Sequence, residues 1–196
     1  MRIALAALVL AAVTVLSAPA RAQQAHEESR VKAAFLLRFG QFVQWPQDAL
    51  PPSGGTLTIA VAGSDAMYAA LVQQLAERGA QGRPTVVRQL KSAEDLAHAH
   101  MLFIGNDAKD RIESLAASAG KRPILIVTES ADAMDHGSMI NFIIADRRVR
   151  FEIALDSAER AGLTLSSRLL AIAARVHRGM LGPPAVLARV SAVSVR

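Results

Sequence analysis

Residues 57–65 read LTIAVAGSD, an apolar run from Leu57 to Ala62 followed by Gly63-Ser64-Asp65. A short buried run closed by turn residues predicts a strand, and Ser64 or Asp65 is placed to cap a helix running to about Arg78. The same unit repeats further along the chain. Gly79 and Gly82 punctuate, residues 84–90 form a second strand centred on Val86 and Val87, and a short helix over 93–97 leads into His100-Met101-Leu102-Phe103-Ile104. Gly105-Asn106-Asp107 closes that strand and opens a helix through about Ser118. Pro123-Ile124-Leu125-Ile126-Val127 is a fourth strand, closed by Thr128-Glu129-Ser130. Strands alternating with helices over 57–127 predict a mostly parallel sheet covered on both faces.

Beyond residue 137 the pattern changes. Residues 138–144 and 148–153 read as two strands joined across Ala145-Asp146-Arg147, a hairpin-length gap that adds antiparallel strands at one edge. Helical sequence follows from Asp156 to about His177, interrupted near Gly162. Upstream, residues 27–44 (EESRVKAAFLLRFGQFVQ) set Val31, Ala34, Phe35, Phe39 and Phe42 at helical spacing. Two acidic residues open that helix, where its dipole favours them, and Trp45-Pro46 ends it. Residues 51–55 (PPSGG) are a connector. The expected fold class is α/β: a three-layer domain with a mostly parallel central sheet and a C-terminal antiparallel hairpin plus helix. Neither an internal repeat nor a second domain is legible, so residues 23–178 are expected to form one domain, followed by a weakly structured tail over 179–196.

The N-terminus does not belong to this pattern. Met1-Arg2, an almost unbroken apolar run from Ile3 to Leu16 and the ending Ser17-Ala18-Pro19-Ala20-Arg21-Ala22 are the three parts of a secretory signal peptide. Two cleavage frames fit, Ala18-Pro19-Ala20 and Ala20-Arg21-Ala22, and cleavage after Ala22 is preferred. The run is shorter than the roughly 20 residues a membrane span needs. The full chain of 196 residues has 22 Lys+Arg against 17 Asp+Glu, a formal charge of +5. Losing Arg2 and Arg21 with the leader lowers that charge by two. An exported protein with this balance is not expected to bind nucleic acid. The chain has no cysteine, which excludes disulfides, thiolate metal sites and a cysteine nucleophile together.

Chemistry-bearing motifs are sparse. Three strand ends are expected on one rim, where open parallel sheets hold ligands, and this makes Ser64, Asp65, Asn106, Asp107, Thr128 and Glu129 candidate ligand-binding residues. Helix capping explains several of the same residues without any ligand. Gly63 lacks the further glycines of a dinucleotide fingerprint, and no Gly-Lys-Ser/Thr occurs. His98 and His100 would share a strand face, yet no third ligand follows by spacing, so no metal is expected. No Gly-x-Ser-x-Gly elbow is present; no catalytic residue and no cofactor are assigned. Two features suit a protein partner. Phe35, Phe39 and Trp45 concentrate aromatic mass in a chain that is only 4% aromatic. Arg150 lies by the hairpin, and Arg168 and Arg175, seven apart, would share one face of the last helix.

Several segments together resemble the YfiR family of exported proteins. They are Val31-Lys32-Ala33-Ala34-Phe35-Leu36 through Phe39, Phe42-Val43 and Trp45-Pro46, and then His100 through Gly105. The far end agrees, in Gly137-Ser138-Met139-Ile140-Asn141-Phe142, Val149-Arg150-Phe151-Glu152-Ile153, Ala161-Gly162-Leu163 and Ser166-Ser167-Arg168-Leu169-Leu170. The resemblance spans roughly residues 28–176. It implies a non-enzymatic periplasmic regulator whose partner is the periplasmic region of an inner-membrane diguanylate cyclase or sensor, repressed so that cyclic di-GMP and biofilm formation stay low. Members often carry cysteines where Ala60 and Ala99 stand here, so cysteine-based redox control is not expected. The alternative is a small-ligand module serving a sensor kinase or transporter. The sequence leaves the ligand and the oligomeric state, a homodimer included, open.

Overall fold

The computed structural model describes residues 17–50, 55–79 and 82–179, with side chains from residue 23 onward. The apolar leader, most of the 51–55 connector and the segment from residue 180 lie outside the described residues. A seven-stranded sheet in the order β3-β2-β4-β5-β6-β7-β9 forms the middle layer. Its strands are β2 (Leu57–Ala62), β3 (Thr85–Gln89), β4 (Met101–Ile104), β5 (Leu125–Thr128), β6 (Ile140–Ala145), β7 (Arg148–Ala154) and β9 (Arg175–His177). β3 to β6 run parallel, β7 returns antiparallel to β6, and β9 lies parallel to β7. This is the expected α/β architecture. Its middle strands are buried on both faces, which is why they read as continuous apolar runs rather than alternating ones.

Helix α1 (Ser17–Phe42) packs beside α2 (Asp65–Arg78). The helix predicted over 27–44 therefore begins earlier, and its last two residues instead form β1 (Val43–Gln44), paired with β8 (Thr164–Leu165). The β2–β3 and β4–β5 crossovers run in opposite directions along the sheet, so the right-handed rule puts α2 on one face and α3 (Ile112–Ala119) on the other. Short 3₁₀ helices at Ala93–His98, Asn106–Arg111 and Ala133–His136 complete the connections. Where α1 meets β6 and β7, Phe35 and Phe39 pack against Phe142 and Phe151 with ring centroids 5.1–6.2 Å apart, both edge-on to Phe151.

The C-terminal reading needs correction. In place of one interrupted helix over 156–177, the chain forms α4 (Leu155–Arg160), β8, α5 (Ser167–Ile172) and β9. Gly162 takes φ 75° and turns the chain toward β1; Ala173 is extended, and Ala174 N–H donates to Phe151 O to start β9. Arg168 and Arg175 consequently lie on different elements, not on one helical face. The hairpin is tighter than its gap suggested. Asp146 and Arg147 alone form the loop, with φ of 50° and 57°, the left-handed pair that a two-residue turn requires.

The register also bears on Ala60 and Ala99. Ala60 pairs with Leu102, three residues beyond Ala99. At about 3.3 Å per residue the two sites are offset by roughly 10 Å, beyond the roughly 7 Å limit for a disulfide. Cysteines at these two positions would not bridge each other in this register.

Candidate functional site

The three predicted strand ends do converge. The strand order turns at β2 and β4, and there the loops after both strands press together. Gly105 N–H donates to Ala62 O at 2.8 Å, and Asp107 N–H donates to Gly63 O at 3.3 Å. A Cβ at Gly105 would overlap Gly63 O and lie 2.6 Å from the Ser64 Cβ. Gly63, at φ 62°, has the left-handed backbone and faces Ala108 just as closely. Backbone fills the place where such sheets ordinarily open a crevice.

Most polar residues of this rim already have partners within the fold. Ser64 caps α2, its Oγ accepting from Met67 N–H at 3.2 Å. Asp65 Oδ1 accepts from Gln89 Nε2 at 3.0 Å. Asn106 donates its backbone N–H to Glu129 Oε1 at 3.2 Å, and its side-chain Oδ1 accepts from Ser130 at 3.2 Å. Thr128 is fully buried, bonding Ser138 Oγ at 2.8 Å and donating to Asn141 Oδ1 at 2.7 Å. The Asp107 side chain points to solvent.

Lys32 is the residue that sequence reasoning missed. It sits in α1, is buried, and donates to Glu129 Oε2 at 2.6 Å while also pairing with Glu28. Burial pushes its pKa down, but the hydrogen bonds and charges of Glu129 and Glu28 outweigh that, holding the ammonium above the ordinary lysine value. Lys32 thereby ties α1 to the carboxyl ends of β4 and β5. A lysine within an amphipathic helix reads as solvent-facing, and its partner is 97 residues away, so no local pattern reveals the tie.

His100, considered above for metal, is already engaged. Its Nδ1 accepts from Thr58 N–H at 3.0 Å and its Nε2 lies 3.1 Å from Ala49 O, which fixes the neutral tautomer with the proton on Nε2. Desolvation by burial holds its pKa below the usual histidine value, with the Arg83 charge acting the same way and the Ala49 bond opposing.

The residues singled out for a partner divide. Phe39 is fully buried, and Trp45 is buried with its indole N–H donating to His100 O at 3.3 Å. Phe35 is half-buried, one turn nearer the helix start. Arg150 and Arg168 are exposed; Arg175 is exposed and pairs with Glu152 at 3.3 Å, beside His177 at 2.6 Å from the same oxygen.

Phe35 forms the floor of a groove of about 490 Å³ between α1 and the β6–β7 hairpin. Val31, Ile144 and Val149 share it, flanked by Glu27 and Glu28 on the helix side and by Arg147 and Arg148 on the hairpin side. Val31 is 42% exposed and Ile144 55%, so this is an apolar surface left open rather than an edge of the core.

Comparison with known proteins gives a family. A family model described as YfiR/HmsC-like matches residues 29–174. No curated protein matches the chain. Two solved structures are similar at 12% identity and a TM-score of 0.48: a conserved domain protein from Vibrio cholerae O1 biovar El Tor and the ABC domain in complex with L-Trp from Streptococcus pneumoniae. Each alignment covers 67% of this chain, and the chain spans 57% and 58% of those two proteins.

Proposed function

The chain belongs to the YfiR/HmsC-like family, and from that premise we propose that it is a non-enzymatic periplasmic regulator. It holds an inner-membrane diguanylate cyclase, or a similar sensor, in its inactive conformation and so lowers cyclic di-GMP. The observation that carries this reading is the extent of the family match, which takes in every strand of the sheet except β9. Repression of this kind needs no reactive side chain. A protein that binds one conformation of its partner more tightly than the other shifts the population by that difference alone.

Two features support the reading. The leader over residues 1–22 supports export, and no described helix is long and apolar enough to cross a membrane. The open groove at Val31, Phe35, Ile144 and Val149, with Arg147 and Arg148 beside it, supports docking onto a protein surface. Deleting the gene and measuring cellular cyclic di-GMP tests the function: the level rises if the protein represses a cyclase. An unchanged level, with the cyclase expressed, overturns it.

The second reading, a small ligand on the rim formed by Ser64, Asp65, Asn106, Asp107, Thr128 and Glu129, is supported by the convergence of the three strand ends. A thermal-shift screen with periplasmic metabolites tests it, because a ligand that binds the folded state raises Tm by mass action.

A further inference from the structure

The β6–β7 hairpin is open along its outer edge as well as on its groove face. β9 covers only the far part of β7, pairing Glu152, Ile153 and Ala154 with Arg175, Val176 and His177. Phe151 O also points to that side, where it accepts from Ala174 N–H. Backbone groups alternate in direction along a strand, so the N–H and C=O of Val149 point the same way. Among the described residues no strand reaches them.

The side chains around this gap sort by face. Val149 pairs across the hairpin with Ile144, and both line the groove with Val31 and Phe35. Arg150 alternates to the opposite face and is exposed, while the exposed Arg148, at the start of the strand, also borders the groove. Arg147 adds a third charge at the turn, and none of the three has an acidic partner among the described residues. The acidic side of the groove does not neutralise them, since Glu28 pairs with Lys32 and Glu27 with Arg30.

We infer that the free edge of β7 at Arg148–Arg150 receives an extended acidic segment of a partner protein as an added strand. Alternate apolar side chains of that segment enter the groove at Phe35 and Ile144, and the intervening carboxylates meet Arg148 and Arg150. Charge selects this occupant over two others. A second copy pairing edge to edge would set arginines against arginines, which is destabilising. The chain's own residues 180–196 contain Arg189 and Arg196 and no acidic residue, so they meet the same repulsion. Main-chain bonds supply affinity and the two faces supply selectivity, as in other strand additions. This inference rests on the reading that the protein acts by docking, but its test uses the purified full chain and no cyclase.

The probe is a short fluorescent peptide of alternating Val and Glu, followed by anisotropy and by amide hydrogen exchange. Binding is expected to slow exchange at Val149 and to weaken as salt is raised. Arg148→Glu with Arg150→Glu should weaken it by about tenfold or more. Val149→Pro, which removes the outward N–H without touching the β6 ladder, should abolish it, with thermal unfolding confirming that the variant is folded. Equal binding of a Val/Lys peptide, or an unaffected Val149→Pro variant, overturns the proposal. So does protection of Val149 in the free chain: concentration-dependent protection assigns the edge to a second copy, concentration-independent protection to the chain's own tail. Unchanged cyclic di-GMP on gene deletion would instead overturn the regulatory function and leave the peptide result standing.

Discussion

At the carboxyl ends of the strands, Lys32, Glu129 and Asn106 satisfy one another beneath two touching loops. Beside the hairpin, Val31, Phe35, Ile144 and Val149 lie open next to the uncompensated Arg147 and Arg148. The first region has the residue types of a ligand site and the packing of a structural joint. The second has ordinary strand and helix residues and the exposure of a working surface. Residue type alone therefore misleads here. What separates the two regions is whether a group's partners lie inside the fold or outside it.

That contrast predicts that rim substitutions cost stability and groove substitutions cost binding. Lys32→Met should have the largest effect, a loss of about 3 kcal/mol in urea denaturation, because it strands a mostly buried carboxylate. Adding Glu129→Gln should recover part of the loss; no recovery would break the ion-pair account. The folded-state pKa of Lys32 is raised, so its contribution is present below the unfolded lysine value of about 10.4 and disappears as pH climbs through the folded value. The stability advantage of the wild type over Lys32→Met should therefore be constant below the unfolded value and shrink as pH rises above it.

Next comes Gly105→Ala, expected to cost about 2 kcal/mol by forcing the two loops apart. If it proves neutral, the rim has room for a ligand after all. Ser64→Ala should cost about 1 kcal/mol, the loss of a helix cap, with no change in any ligand response. Smallest in stability is Ile144→Ser, expected within about 0.5 kcal/mol of the wild type because the side chain is exposed. Yet it should raise cellular cyclic di-GMP toward the level of the deletion strain. An Ile144→Ser protein that represses fully would remove the groove from the docking surface.

The sheet was legible because each of β2, β4 and β5 is a mainly apolar run bounded by turn residues, and two-sided burial demands that pattern. The convergence of Ser64, Asn106 and Glu129 followed from the topology those runs imply. β8 and β9 were not legible. At two and three residues they have no period of their own and exist only because Val43 and Phe151 offer backbone to pair with. Lys32 escaped for the same reason, since its role is defined by Glu129 far along the chain. The groove is equally non-local: Ile144 looks like any strand residue until the position of α1 leaves it uncovered.

The aromatic contact between α1 and the hairpin has a consequence for the order of assembly. Phe35 and Phe39 belong to the first described helix, while Phe142 and Phe151 belong to two of the last strands. The cluster they share cannot close until most of the chain is present, and contacts of such long sequence separation slow folding. Until the hairpin is made, Phe35 and Phe39 lack these ring partners, and apolar surface left exposed in this way favours aggregation. The late hairpin is thus the element that completes this part of the core.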